Sequence, residues 1–363
     1  IDGTFPNVRF YDNAASRILV DEVVDLGDVG WVNLVRAFKN CTNLTAFNVG
    51  TADTSSVTTM QQMFHSCSGL TTLDLSNFDT SSVTSMQQMF YNCSSLTILD
   101  VSNFNTSNVN NMGLMFYNCS SLASLDLSGF DTSSVTTMGL MFYNCTSLTN
   151  LNLSGLDTSN VNTMQGMFYN CSSLTSLDIS GFDISSVTRM DSMFSGCSSL
   201  TTLDLSSFNT SSVTTMHSMF RNCSSLTSLN ISNFDTSSVT NMESMLNSCS
   251  SLTALNLSNF DTSNVTRMTF MIFNCSSLIN LDIKHFDISS VTSGSNFLNF
   301  SNSALTTTAY DELLEAWSVQ DVQPNVPWHF GNAQYTVEAI ADWYSPRSVS
   351  SLSIINNKLV SIA

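Results

Sequence analysis

The feature that most constrains this chain is a cysteine that returns at an unvarying interval. Cys41, Cys67, Cys93, Cys119, Cys145, Cys171, Cys197, Cys223, Cys249 and Cys275 lie 26 residues apart. Around each runs the unit C-S-S-L-T-x-L-D-L-S-N-F-D-T-S-S-V-T-x-M-x-x-M-F-x-N, nearly intact from Cys67 to Asn92. A fixed period of this length is the signature of a solenoid, whose coils rest only on their neighbours. A chain of 363 residues can then be one elongated body instead of several domains with separate cores.

Within the unit from Cys93 to Asn118, Leu96-Thr97-Ile98-Leu99-Asp100-Val101 ends in period-two alternation and predicts a short strand. Ser102 to Ser107 supplies turn formers around Phe104 and predicts a corner. Val109, Met112, Met115 and Phe116 then recur at helical spacing after Ser and Thr at N-cap positions, which predicts a short helix. The expected fold is an α/β solenoid of about ten 26-residue coils, with a parallel β-sheet on one side, short helices on the other and caps at both ends.

The ends depart from the unit. Residues 1–40 read as an N-terminal cap with a degenerate coil: Ala15 falls in the cysteine column, Ile18 and Val23 in strand columns, and Leu26, Trp31, Leu34, Ala37 and Phe38 in later ones. Residues 1–14 are expected to add a strand over the open edge. The solenoid is assigned to 41–300. Residues 301–363 are assigned to a C-terminal cap with helices at Thr308–Trp317 and Thr336–Tyr344, an extended Gln323–Trp328 and a hairpin over Ser353–Val360.

Cysteines in one column should point inward about one strand spacing apart, ~4.8 Å. Their parallel Cβ vectors disfavour the ~90° dihedral of a disulfide. Cys67, Cys93, Cys119, Cys145, Cys171, Cys197, Cys223 and Cys249 are therefore expected to form a structural ladder of buried, reduced thiols acting as small apolar fillers. No C-x-x-C pair suggests a metal.

The sequence holds 10 Lys+Arg against 28 Asp+Glu, a formal charge of −18, with no basic residue between Lys39 and Arg189. Such a surface repels phosphate and argues against nucleic acid or anionic lipid as partner. No apolar run approaches the ~20 residues of a membrane span, so no membrane insertion is expected. Charged residues make up only 10% of the chain, and Ser, Thr and Asn fill the polar positions, a texture that suggests an extracellular protein. Ile1 opens no signal-peptide pattern, which suggests a mature or excised portion. His65, His217, His285 and His329 are scattered, and no nucleophile elbow, phosphate loop or H-E-x-x-H occurs, so neither an enzyme nor a cofactor is expected.

Several ladders are candidate binding surfaces. Thr97, Asp100, Asp126, Asp178 and Asp204 belong to columns that face outward from the strands, where hydroxyls and carboxylates suit sugar hydroxyls or a basic protein patch. Beside them, Ala46, Thr72, Ile98, Ser124, Asn150 and Ser176 form a varying column where specificity could reside. Asp131, Asp157 and Asp183 lie in a second acidic column, read as turn caps with calcium bridging as the alternative. Tyr91, Tyr117, Tyr143 and Tyr169 should lie side by side at the surface, either as a glycan or protein contact or as a stacking device. Asn92, Asn118, Asn144, Asn170, Asn222 and Asn274 begin N-x-S/T sequons that the repeat itself generates.

The unit from Met89 to Met112 closely resembles the BspA-type leucine-rich-repeat proteins of bacterial surfaces, in the subgroup with a V-T-x-M-x-x-M-F core. The match covers about residues 15–300. Gly3-Thr4-Phe5-Pro6 with Trp31, and Tyr310 to Trp317 followed by Phe330 to Tyr335, are similar to end segments of such proteins, including ones carried by marine bacteria and their phages. The resemblance implies a leucine-rich-repeat superhelix that is secreted or displayed on a cell surface, has no common catalytic site, and adheres to a host surface protein or glycan. A structural subunit of a phage tail fibre, virion surface or extracellular filament, self-assembling through its end caps, is the alternative. Ice binding by flat Thr ladders is a weaker third.

Overall fold

The computed structural model describes residues 18–279, 281–299, 306–323, 326–329, 351–355 and 358–362. The chain forms two compact units, Ile1–Ser186 and Val187–Ala363. Each is a repeat solenoid in which successive 26-residue coils lie in register.

In the first unit the described strands are two or three residues long. Strand β1 (Glu22–Val23) pairs in parallel with β2 (Ala46–Asn48), and β2 with β3 (Thr72–Asp74), one period apart at each step. Strands β4 (Ser124–Asp126) and β5 (Asn150–Asn152) form a second parallel pair. Their central residues turn inward and the flanking ones outward.

The opposite side overturns the expectation of helices. Among the described residues none of the coils contains an α-helix, and the Met–Phe segments are runs of tight turns. In one coil the amides of Met115, Tyr117 and Cys119 bond three residues back, to Met112, Leu114 and Phe116 at 3.2 Å. The alternating amides of Met112, Leu114, Phe116 and Asn118 bond forward, to carbonyls of Thr137, Gly139, Met141 and Tyr143 in the next coil. Leu114 and Asn118 have φ of +55° and +56°, which a right-handed helix forbids. The spacing of Met112, Met115, Phe116 and Cys119 is that of a helix face because two linked turns also return a side chain inward after three and four residues. Space decides between them: Phe rings of neighbouring coils are stacked 5.6–5.8 Å apart, whereas a helix with side chains is ~10–12 Å across.

The second unit repeats this run. Ser218, Phe220 and Asn222 donate to Glu243, Met245 and Asn247 of the next coil, and parallel bridges link Arg189, Thr215, Asn241, Arg267 and Ser293. Among the described residues of its coils the paired strands are β6 (Ile272–Phe273) and β7 (Leu298–Asn299), which lie on the turn side.

The core of both units is built from the periodic apolar columns, with Val, Met, Phe and Cys positions such as Val109, Met112, Phe116 and Cys119 fully buried. The cysteines are free thiols, and they are more than fillers. Cys119 Sγ donates to the carbonyl of Phe90 one coil back at 3.1 Å, and Cys93, Cys145, Cys171, Cys223 and Cys249 repeat that bond. Burial pushes the Cys145 thiol up to about 12.

At the start of the first unit Trp31, Leu34, Ala37 and Phe38 are buried, but Ile18 is 57% exposed and does not occupy an inward strand column. Ala15 and the strand expected over 1–14 lie outside the described residues. Asp25 accepts from Gly27 N, Thr51 N and Thr51 Oγ1. Gly50, at φ +64°, is the residue that lets this carboxylate approach, since a Cβ there would fall 2.0 Å from it.

At the end of the second unit, α1 (Thr307–Ser318) is capped by Thr306, whose hydroxyl accepts from Ala309 N at 3.2 Å. It buries Tyr310, Leu313, Leu314 and Trp317. Gly294 stands where the repeat has methionine, and a Cβ there would meet the Trp328 ring at 2.9 Å. Gln320 accepts from Ile288 N and donates to Phe286 O, tying this segment to the last coil. Strand β8 (Pro327–His329) pairs antiparallel with β10 (Lys358–Ile362), which pairs with β9 (Ser351–Ile355). The helix expected at Thr336–Tyr344 lies outside the described residues.

Candidate functional site

The turn runs carry every other pair of side chains outward, and in the first unit these columns form a continuous face. Tyr91, Tyr117, Tyr143 and Tyr169 stack with centroids 4.3–4.5 Å apart and planes within 5°. His65 extends the column onto Tyr91 at 4.4 Å. All five rings are half-buried. Because each ring covers its neighbour, the stack presents edges and phenolic oxygens outward, not ring faces. Burial, then the adjacent Tyr169 and Tyr117, push the Tyr143 phenol up to about 12. Burial, then the positive charge of Lys39, push His65 down to about 4.

Next to the rings runs an amide ladder. Asn118 donates to Asn92 Oδ1, Asn144 to Asn118 and Asn170 to Asn144. These asparagines hold φ between +56° and +60°, the left-handed region that Asn tolerates. A glycan on any of these sequon amides would compete with the ladder. Gln61 and Gln62 make a second ladder to Gln87 and Gln88.

The strand-side candidates serve their own turns. Asp100, Asp126 and Asp178 of the first unit accept from Ser102, Ser128 and Ser180 N at 2.9–3.1 Å, and Asp204 of the second from Ser206 N at 2.9 Å. The Ser102 amide, then its hydroxyl, hold Asp100 below the usual carboxylate range. Thr97 is exposed, and its carbonyl accepts from Ala123 N at 3.4 Å.

Asp131, Asp157 and Asp183 likewise accept from Ser133, Ser159 and Ser185 N. The Ser133 hydroxyl, then its amide, lower Asp131. Among the described residues no group of three or more His, Cys, Asp or Glu is placed to hold a metal.

Sequence reasoning took Asp-Thr-Ser-Ser as turn caps and missed the threonine. Thr54, Thr80, Thr106, Thr132 and Thr158 are buried, and each hydroxyl donates to a carbonyl of the next coil at 2.7–3.0 Å. It also missed Leu114 and Leu140, half-buried on the turn face at φ +55° and +58°. The restriction of column 66/92/118 to Asn, Ser and Gly was the available signal for a left-handed position.

A family profile matches residues 32–152, 141–230, 192–317 and 224–343, and the chain belongs to that family, described as "Mycoplasma protein of unknown function, DUF285". No curated protein matches the sequence. A leucine-rich repeat protein from Eubacterium ventriosum is 18% identical over 84% of this chain and 90% of its own, with a TM-score of 0.39. One from Bacteroides ovatus is 18% identical over 78% and 80%, with a TM-score of 0.35. A leucine rich cell surface protein from Faecalibacterium prausnitzii is 19% identical over 78% and 79%, with a TM-score of 0.35.

Proposed function

We propose that this protein is a recognition module of the BspA-like type, secreted or displayed at a cell surface, that binds a host protein or glycan through the outward columns of its coils. The observation that carries the reading is the division of labour within each coil. Inward Val, Met, Phe, Cys and Thr positions are fully committed to the stack, whereas outward positions change from coil to coil. A scaffold that repeats its interior and varies its exterior suits binding and not catalysis. The excess of carboxylates disfavours polyanionic partners.

The test is direct binding of the purified full chain to intact host cells, immobilised matrix proteins and an oligosaccharide array. Saturable retention by one of these is the expected result. A folded chain that none of them retains would sink the reading.

A further inference from the structure

In the first unit the turn run from Asn33 to Asn40 carries Arg36 and Lys39, and the five runs that follow it carry no charge. From Thr59 to Ser66, Ser85 to Asn92, Asn111 to Asn118, Thr137 to Asn144 and Thr163 to Asn170 there is no Asp, Glu, Lys or Arg. In the same columns the second unit carries Arg189, Asp191, Arg221, Glu243 and Arg267. In a chain of net charge −18, five consecutive uncharged turn runs form a surface on which an uncharged partner meets no unpaired ion.

Two features of this face are not required by the stack. Leu114 and Leu140 occupy left-handed positions where asparagine or glycine would be less strained, and both remain partly exposed beside Tyr117 and Tyr143. Just before them, Gly113 and Gly139 replace the glutamines found at Gln87 and Gln165. Gly139 is not at positive φ, and a Cβ there would meet nothing nearer than 3.7 Å, so packing does not demand glycine. The result is a notch without a side chain at half-buried Gly139, flanked by Leu114 and Leu140 and ended by Gln165; Gly113 is itself buried, and a Cβ there would stand 3.3 Å from Asn111 Oδ1.

We infer that this notch and the adjoining tyrosine edges bind a neutral carbohydrate chain. The inference rests on the recognition reading above and names its face and ligand class. The tyrosine strip is three ring spacings of 4.3–4.5 Å long, too short to supply the ~800 Å² per partner of a standard protein interface. An occupant of that width which alternates C–H faces with hydroxyl edges matches what is presented. The leucines take the C–H faces, while the phenols and the remaining amide N–H and C=O groups of Asn and Gln take the hydroxyls.

The test is affinity electrophoresis of the full chain through dextran, mannan, galactomannan and xyloglucan, with heparin and hyaluronan in parallel. The wild type should be retarded by at least one neutral polymer and by neither acidic one. Gly139→Gln, which refills the notch with the neighbouring coils' residue, should weaken that retention at least tenfold with unchanged Tm. The Leu114→Asn/Leu140→Asn double variant should weaken it similarly while Tm holds or rises, the opposite of what a structural role predicts. Retardation by acidic polymers alone, by no neutral polymer, or undiminished in Gly139→Gln overturns the inference. If host cells still bind saturably in those cases, recognition stands and only this face is wrong; if nothing binds, both fall.

Discussion

The turn runs of the two units share one backbone and differ in what they display. Phe116 in the first unit and Phe220 in the second are both fully buried, and both donate their amides to the next coil at 2.9 and 2.8 Å. Yet the residue after each is Tyr117 in one and Arg221 in the other. In the first unit that column is a stack of rings; in the second it reads Ser195, Arg221, Asn247 and Phe273. The backbone therefore places no demand on this position, and its side chain is set by what it stacks on or meets at the surface.

This comparison is most exposed to test in the inward columns, where the two units should respond alike. Phe142→Ala in the first and Phe220→Ala in the second each empty a fully buried site, and each should cost about 3–5 kcal/mol in denaturant unfolding. A large disparity would mean that the two interiors are not equivalent.

Of intermediate size is the threonine ladder. Thr132 donates to Asp157 O at 2.7 Å in the first unit and Thr236 to Asp261 O at 2.8 Å in the second. Replacing either by Val strands a carbonyl and should cost about 1–3 kcal/mol. The matching Ser variants, which keep the hydroxyl, should cost less. Equal losses for Val and Ser would assign the effect to packing alone.

The smallest expected effect is a pH dependence that separates the units. Asp131 in the first and Asp235 and Asp261 in the second are held below the usual carboxylate range, chiefly by serine hydroxyls. A lowered folded pKa means the unfolded chain binds more protons, so stability present above about pH 4 is lost as pH falls through the folded values, in both units. His65, lowered from the usual 6.5 to about 4, adds a loss between those pH values in the first unit only. His65→Tyr should raise Tm at pH 5 relative to the wild type while keeping a ring on Tyr91. An unchanged difference in Tm between pH 7 and pH 5 would show that His65 is not held neutral.

Legibility followed the same division between interior and exterior. The period, the inward columns and the in-register stacking follow from the 26-residue cysteine spacing, because a solenoid has few other ways to bury Leu, Met and Phe at fixed intervals. The turn runs were misread because Met112, Met115, Phe116 and Cys119 satisfy a helical period and a chain of tight turns equally well. Leu114 and Leu140 concealed the left-handed positions, since neither is a residue that ordinarily marks them. At Gly294 the reason for the loss of methionine, the Trp328 ring, lies far along the chain.

The sequence by itself determined that coils of equal length stack with cysteine, leucine and phenylalanine inside, because apolar residues at a constant period have nowhere else to go. Only the tertiary structure decided the conformation of the other side. One coil must sit within a strand spacing of the next, and at that distance amides bond between coils and no helix fits. The same closeness turns four separate tyrosines into one stack of edges, and it leaves the notch at Gly139 beside them.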